Sequence, residues 1–198
     1  IDRNMLDEAI SRLELAERPI IYSGGGVINS GQSAVTLLRN LVAGTNFPIT
    51  STLMGLGSYP ASGKNWLGML GMHGTYEANN AMHDCDLLIN IGARFDDRIT
   101  GKIDEFSPKS KKVHIDIDPS SINKIIKVDL ALVGDVKEVL KGITKTLKKK
   151  NLDLKKSNKQ QIAKWWEQIQ KWRTKNSLHF KNSDETIKPQ HAVQRLYE

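Results

Sequence analysis

Apolar residues between Asn4 and Ala16 fall at Leu6, Ala9, Ile10, Leu13 and Ala16, the spacing of one helical face, and Pro19 ends the pattern. The run PIIYS that follows is apolar without alternation and stops at Gly24, Gly25 and Gly26, which predicts a short strand buried on both faces. The helical period returns over Ser30 to Ala43 through Ala34, Leu37, Leu38 and Leu41. FPITST predicts a second strand, and a long glycine-bearing loop then runs to about Thr75, expected to be disordered when no ligand covers it. Tyr76 to Cys85 predicts a short helix, DLLINIG a third strand, KVHIDID a fourth and ALVGD a fifth. PSSINKII gives one helical turn behind Pro119, and Val136 to Leu147 a further helix. Strands alternating with helices predict an α/β fold with a doubly wound parallel sheet. Apolar strands cease near residue 150, so residues 1–150 are expected to form this domain and 151–198 a linker and a helix.

Charge modifies only the end of this picture. The net charge is +7, and residues 141–175 alone carry twelve Lys and Arg against two acids, leaving the remainder near neutral. A basic run with Trp165, Trp166 and Trp172 could bind nucleic acid by phosphate contact and stacking. The pattern favours a solvated linker and one amphipathic helix whose Trp face packs on something outside these residues. No apolar run reaches the roughly 18 residues of a membrane span, and the N-terminal stretch lacks a signal peptide's apolar segment, so the chain reads as soluble and unexported. Cys85 is the sole cysteine, which excludes an internal disulfide, and it is read as a buried bystander.

The candidate chemistry lies where strands end. In open α/β sheets ligands collect beyond the carboxyl ends of the strands, and the glycine clusters fall there: Gly24 to Gly26, Met54 to Gly57, Gly92 and Ala93. Small residues allow close backbone approach, and the following helix starts attract phosphate, so an anionic nucleotide is the expected ligand. GGGVINSG is not a G-x-G-x-x-G turn in register with a helix start, and alone it is a weak motif. Arg94 and Arg98 flank FDD and could fork onto a pyrophosphate, unless Asp96 and Asp97 merely neutralise them in a surface turn. Asp116 and Asp118 close the fourth strand, where an acid can accept from ribose hydroxyls; Asp118 could equally cap the turn behind Pro119. His73 and His83 lack a zinc ligand set, and His73 is expected to stack on or hydrogen-bond a ligand.

RPIIYSGGGV, TLMGLGSYP, LGMLGMHGTYEANNAMHDCDLLINIGARFDDRITG, VHIDIDPSSINKI and GDVKEVL together resemble the central domain of the acetolactate synthase (acetohydroxyacid synthase) family, thiamine diphosphate enzymes of branched-chain amino acid synthesis. The resemblance runs over about residues 3–142, and IKPQHAVQRLYE resembles the entrance to that family's third domain. It implies a Rossmann-like, DHS-like nucleotide-binding domain that holds FAD, with no net redox step in the synthase reaction. Carried over position by position, flavin contacts fall on Gly24, Gly25 and Gly26, on Thr52, Leu53 and Met54, and on Leu70, Gly71, Met72 and His73. They continue on Gly92, Ala93, Arg94, Asp96 and Arg98, with the adenosine end at Asp116, Ile117, Asp135 and Val136. Met72, Asp97 and Arg98 match positions lining the family's substrate channel, where herbicidal inhibitors bind.

The resemblance also implies what these residues lack. The activating glutamate belongs to the family's first domain and the Gly-Asp-Gly motif for thiamine diphosphate and Mg2+ to its third; Gly134-Asp135 is no substitute. The chain is thus expected to be a fragment without catalytic residues, inactive alone, whose partners are its own missing N- and C-terminal domains. A homodimer or homotetramer of the parent and a regulatory small subunit are implied as well. The compartment would be the cytoplasm in a bacterium and a plastid or mitochondrion in a eukaryote. Three rivals stand beside this reading: a glyoxylate carboligase or another thiamine diphosphate enzyme, a stand-alone nucleotide- or nucleic-acid-binding module, and a purely structural domain.

Overall fold

The computed structural model describes residues 2–198. Its centre is a six-stranded, wholly parallel sheet in the order β3-β2-β1-β4-β5-β6. The strands are β1 (Pro19–Ser23), β2 (Ile49–Ser51), β3 (Trp66–Met69), β4 (Leu87–Ile91), β5 (Lys111–Asp116) and β6 (Leu130–Val133). The helices are α1 (Arg3–Leu15), α2 (Gly25–Asn29), α3 (Gln32–Thr45), α4 (Tyr76–Asp84), α5 (Asp97–Thr100), α6 (Val136–Lys149), α7 (Leu154–Ser157), α8 (Lys159–Arg173) and α9 (Pro189–Tyr197).

Both faces of the sheet are covered, which is why β1 and β4 read as unbroken apolar runs. On one face Ile21, Ile89, Ile91, Val113 and Leu132 pack with the apolar stripes of α1, α3 and α6. On the other, Ile20, Tyr22 and Leu88 pack with Ala78, Ala81 and Met82 of α4 and with Trp165 and Ile169 of α8. Capping follows local chemistry. Asp2 accepts from Asn4 N at the start of α1, Thr75 from Ala78 N at α4, and Asp135 from Lys137 N at α6. Left-handed Asn46 ends α3.

Several expectations are corrected. The segment from Met54 to Thr75 is not one unstructured loop, because it carries a 3-10 turn at Leu53–Gly55 and the edge strand β3. Gly68 lies inside that strand at φ +90°, a conformation that hides the strand from any residue pattern. Helix begins directly at Gly25 as the short α2, five residues ahead of the expected start at Ser30. The Trp face of α8 does not await an outside partner. Trp165 is buried with its indole N–H donating to Pro19 O over 3.0 Å, and Trp166 donates to Asn46 O over 2.9 Å. Trp172 meets Trp165 edge-on with centroids 5.5 Å apart. By contrast α9 buries no residue, and Val193, Leu196 and Tyr197 stand exposed.

Candidate functional site

The chain leaves β1 toward one edge of the sheet and returns to β4 on the other side, so the topological switch lies between β1 and β4. The turns after these strands extend the sheet's hydrogen bonding: Gly24 N donates to Ile91 O (2.9 Å), Gly26 N to Gly92 O (2.9 Å) and Gly92 N to Ile115 O (2.8 Å). Glycine is required here by the neighbouring loop. A Cβ on Gly24 would lie 2.5 Å from Ala93 Cα, and one on Gly26 would lie 2.7 Å from Gly92 Cα. What approaches these two glycines is therefore the turn after β4, while Gly25 has Met54 as its close neighbour at 3.2 Å.

Beside the switch, loops after three strands enclose a cavity of about 410 Å³. Thr52, Leu53 and Met54 come from the end of β2; Met69, Leu70, Met72 and His73 from β3; Asp96, Arg98 and Ile99 from β4. Its walls are held by specific bonds. Thr52 Oγ1 accepts from Gly55 N (2.9 Å) and so fixes the 3-10 turn that carries Leu53 and Met54. Asn79 on α4 grips Gly71 twice, accepting from its N–H (3.0 Å) and donating to its carbonyl (3.0 Å). Gly71 stands at φ +105° with its Cβ position 2.8 Å from Arg98 O, so only glycine suits that crossing of two loops.

The cavity surface combines apolar exposure with unsatisfied polar groups. Leu53, Met54 and Met72 are 69%, 75% and 69% exposed, a cluster of apolar surface at the strand ends. Asp96 Oδ1 is buried without a hydrogen-bond partner. Arg94 and Arg98 are exposed, and among the described residues no carboxylate forms an ion pair with either, so Asp96 and Asp97 do not neutralise them.

The other predicted positions lie further along the same edge of the sheet. Asp116 accepts from Asp118 N (2.9 Å), and its other oxygen lies 3.6 Å from His114 Nε2. Ile117 is exposed, while Val136 is buried in the core at the start of α6. Asp135 accepts from Ser30 Oγ (2.8 Å) and Lys137 N (2.9 Å), and the Ser30 bond foremost holds its carboxyl below the usual aspartate value. Asp118 acts as a cap, accepting from Ser120 N and from the Ser120 and Ser121 hydroxyls, contacts that lower its pKa. From β2 to β6 the row of strand ends spans four strand spacings, about 19 Å. The sequence missed Met69 and Ile99 as wall residues, Asn79 as a clamp, and Asn90 and His114 beneath the loop; an Asn one helical turn past a Thr cap was the only pointer to the clamp.

Larger hollows lie away from this edge. One of about 690 Å³ runs along Trp166, Gln170 and Lys64, and one of about 420 Å³ lies between α3 and α6. Neither gathers loops from several strand ends.

Strand order, switch point and loop cavity define a doubly wound α/β domain of the kind whose ligands lie across the carboxyl ends of the strands. The chain belongs to the family described as thiamine pyrophosphate enzyme, central domain, which matches residues 6–143. It is 40% identical over 197 residues to the acetolactate synthase large subunit of Haemophilus influenzae, covering 98% of this chain and 33% of that protein. It is 38% identical over 195 residues to the isozyme 3 large subunit of Escherichia coli, again 33% of that protein. A probable chloroplastic acetolactate synthase 2 of Oryza sativa is 40% identical over 195 residues, of which this chain spans 29%. The chain thus spans about a third of the length of the curated relatives it matches. No helix among the described residues is long and apolar enough to cross a membrane.

Proposed function

We propose that these residues form the FAD-carrying central portion of an acetolactate synthase catalytic subunit, with the flavin lying across the carboxyl ends of the sheet. The observation that carries this reading is the meeting of Thr52, Leu53 and Met54 with Leu70, Met72 and His73 and with Asp96 and Arg98 in one cavity beside the switch point. The residues suit such a ligand. A planar ring would cover the exposed Leu53, Met54 and Met72, and its polar edge would meet the unpartnered Asp96 Oδ1. Gly24, Gly25, Gly26, Gly92, Ala93 and Arg94 would flank the pyrophosphate, with Arg94 free to pair with it. Asp116, Ile117, Asp135 and Val136 would border the adenosine end, about the length of an extended dinucleotide away.

In the synthase reaction implied by the resemblance, two pyruvates give 2-acetolactate and CO2, or pyruvate and 2-oxobutanoate give 2-aceto-2-hydroxybutanoate. FAD supplies no net oxidation to that reaction. Thiamine diphosphate and Mg2+ belong, on this reading, to portions of the parent outside these residues. Here Met72, Asp97 and Arg98 would line the substrate approach, where the Arg98 guanidinium suits the carboxylate of a 2-oxo acid. The parent would be a homodimer or homotetramer, with a regulatory small subunit as a further partner.

Two measurements test this. The 198-residue chain mixed with pyruvate, thiamine diphosphate, Mg2+ and FAD should form no acetolactate above a blank, whereas the natural longer chain should form it and lose activity when FAD is stripped. Flavin fluorescence should be quenched saturably by the longer chain. Absence of saturable quenching there would remove the flavin from the proposal.

A further inference from the structure

The parallel register of β1, β4 and β5 places Tyr22 opposite Asn90 and Asn90 opposite His114, and the row continues to Thr50 on β2. All four are fully buried. A line of polar side chains across the middle of a buried sheet is costly unless its hydrogen bonds are used. Two of them spend a bond on the same atom: Ala93 O accepts from Asn90 Nδ2 at 2.7 Å and lies 3.1 Å from His114 Nε2. Two residues further on, the Phe95 ring sits 5.2 Å from the His114 ring and 6.4 Å from Tyr22. The loop is therefore gripped from inside the sheet at residues 93 and 95, while Asp96 and Arg98 reach the cavity wall.

We infer that His114 and Asn90 are positioning residues for the Arg94–Arg98 loop, clamping the Ala93 carbonyl from below so that Asp96 and Arg98 meet the strand-end ligand. The clamp requires the imidazole proton on Nε2, because a carbonyl only accepts. The same nitrogen lies 3.6 Å from Asp116 Oδ2, so one buried ring lies against both the loop after β4 and the last residue of β5. Its remaining nitrogen, Nδ1, has no partner, and nothing else on the ring competes for the donor role. As to ligand, the inference rests on the flavin reading above; as to loop order, it stands apart from it.

The test uses the natural full-length chain with His114→Leu, which keeps bulk and removes the donor, and His114→Gln, whose amide nitrogen can reach the place of Nε2. Amide exchange at residues 99–101, whose N–H groups donate to the Asp96 and Asp97 carbonyls of this loop, should quicken about tenfold in His114→Leu and return toward the original in His114→Gln. FAD affinity should fall and recover in parallel. Unchanged exchange at 99–101 in His114→Leu would overturn the inference, as would equal acceleration throughout β4 and β5. Nitrogen chemical shifts of the unaltered protein provide a second arm that needs no folded variant: protonation at Nε2 supports the clamp and protonation at Nδ1 overturns it. If loop exchange responds as expected but no FAD binds even to the unaltered chain, the clamp stands and the flavin reading fails.

Discussion

Ser30 Oγ donates to Asp135 Oδ1 over 2.8 Å, although 105 residues separate them. The bond ties the chain just after α2 to the cap of α6, and Lys137 N sits 3.0 Å from the same hydroxyl. The segment that follows β1 is thereby joined to the turn after β6 at the end of the strand-end row.

Ser30→Ala should lower unfolding free energy by about 1 kcal/mol at neutral pH, the usual value of one such bond. The Asp135 carboxyl is held below its ordinary 3.8. Its stabilisation is present above that value and is lost as pH falls through the depressed native value. Denaturant titrations should therefore show the two proteins drawing together below about pH 3.8. A gap that stays constant through that range would mean the bond is not the cause.

Two glycines should respond in opposite directions. Gly24→Ala must displace the backbone of Gly92 and Ala93, with Ala93 Cα only 2.5 Å from the new methyl, and should cost about 3 kcal/mol or more. Gly44, in the last turn of α3, has nothing within 4 Å of its Cβ position. Gly44→Ala should be neutral or stabilise by up to about 1 kcal/mol. Thermal midpoints of both variants check the contrast.

What was legible in the sequence followed from burial. β1 and β4 announce themselves because a strand covered on both faces must be apolar throughout, and the helices because their buried stripes repeat at helical spacing. β3 was hidden by Gly68 at positive φ and by its place at the edge of the sheet. The Trp face of α8 reads as one that packs elsewhere because its lysine-rich flanks suggest solvent, yet those lysines occupy one side and Ile162, Trp165 and Ile169 the other. The loops of the cavity were legible as glycine clusters at strand ends. Their support was not: Asn90 and His114 look like ordinary interruptions of apolar runs, and only the strand register shows that they share one row.

Helix α8 is predicted to be part of the stable core. Trp165→Ala should cost about 3–5 kcal/mol by opening a cavity under β1, and Trp165→Phe about 1–2 kcal/mol for the lost bond to Pro19 O and the smaller ring. Equilibrium unfolding followed by tryptophan fluorescence and by circular dichroism should give coincident transitions. An early fluorescence transition would show that α8 detaches before the sheet melts.

Cys85 should be inert in the native protein. Burial pushes its thiol up to about 11, and the sulfur lies 3.2 Å from both Met82 O and Ser107 Oγ. Alkylation by iodoacetamide near pH 8 should proceed only through unfolding, so its rate should climb with denaturant in step with the unfolded population. Labelling of the native protein at the speed of a free thiol would contradict this placement.

The buried imidazole of His114 gives a pH dependence of definite sign. Burial is the main cause that holds it below the ordinary 6.5, opposed by the charge of Asp116 and the hydrogen bond at Ala93. The titratable groups nearby are Asp116 and, beyond Phe95, Tyr22 and Asp96. Between the depressed value and 6.5 the unfolded chain binds more protons than the folded one, so stability rises with pH there. It is full above about 6.5 and is lost as pH falls below that value until the native imidazole itself charges. His114→Gln removes this proton uptake while leaving Asp135, whose effect begins at far lower pH, untouched. Plotted against pH between about 5 and 7, unfolding free energy should slope upward in the original protein and more gently in the variant. Parallel slopes would show that His114 does not enter the native state neutral.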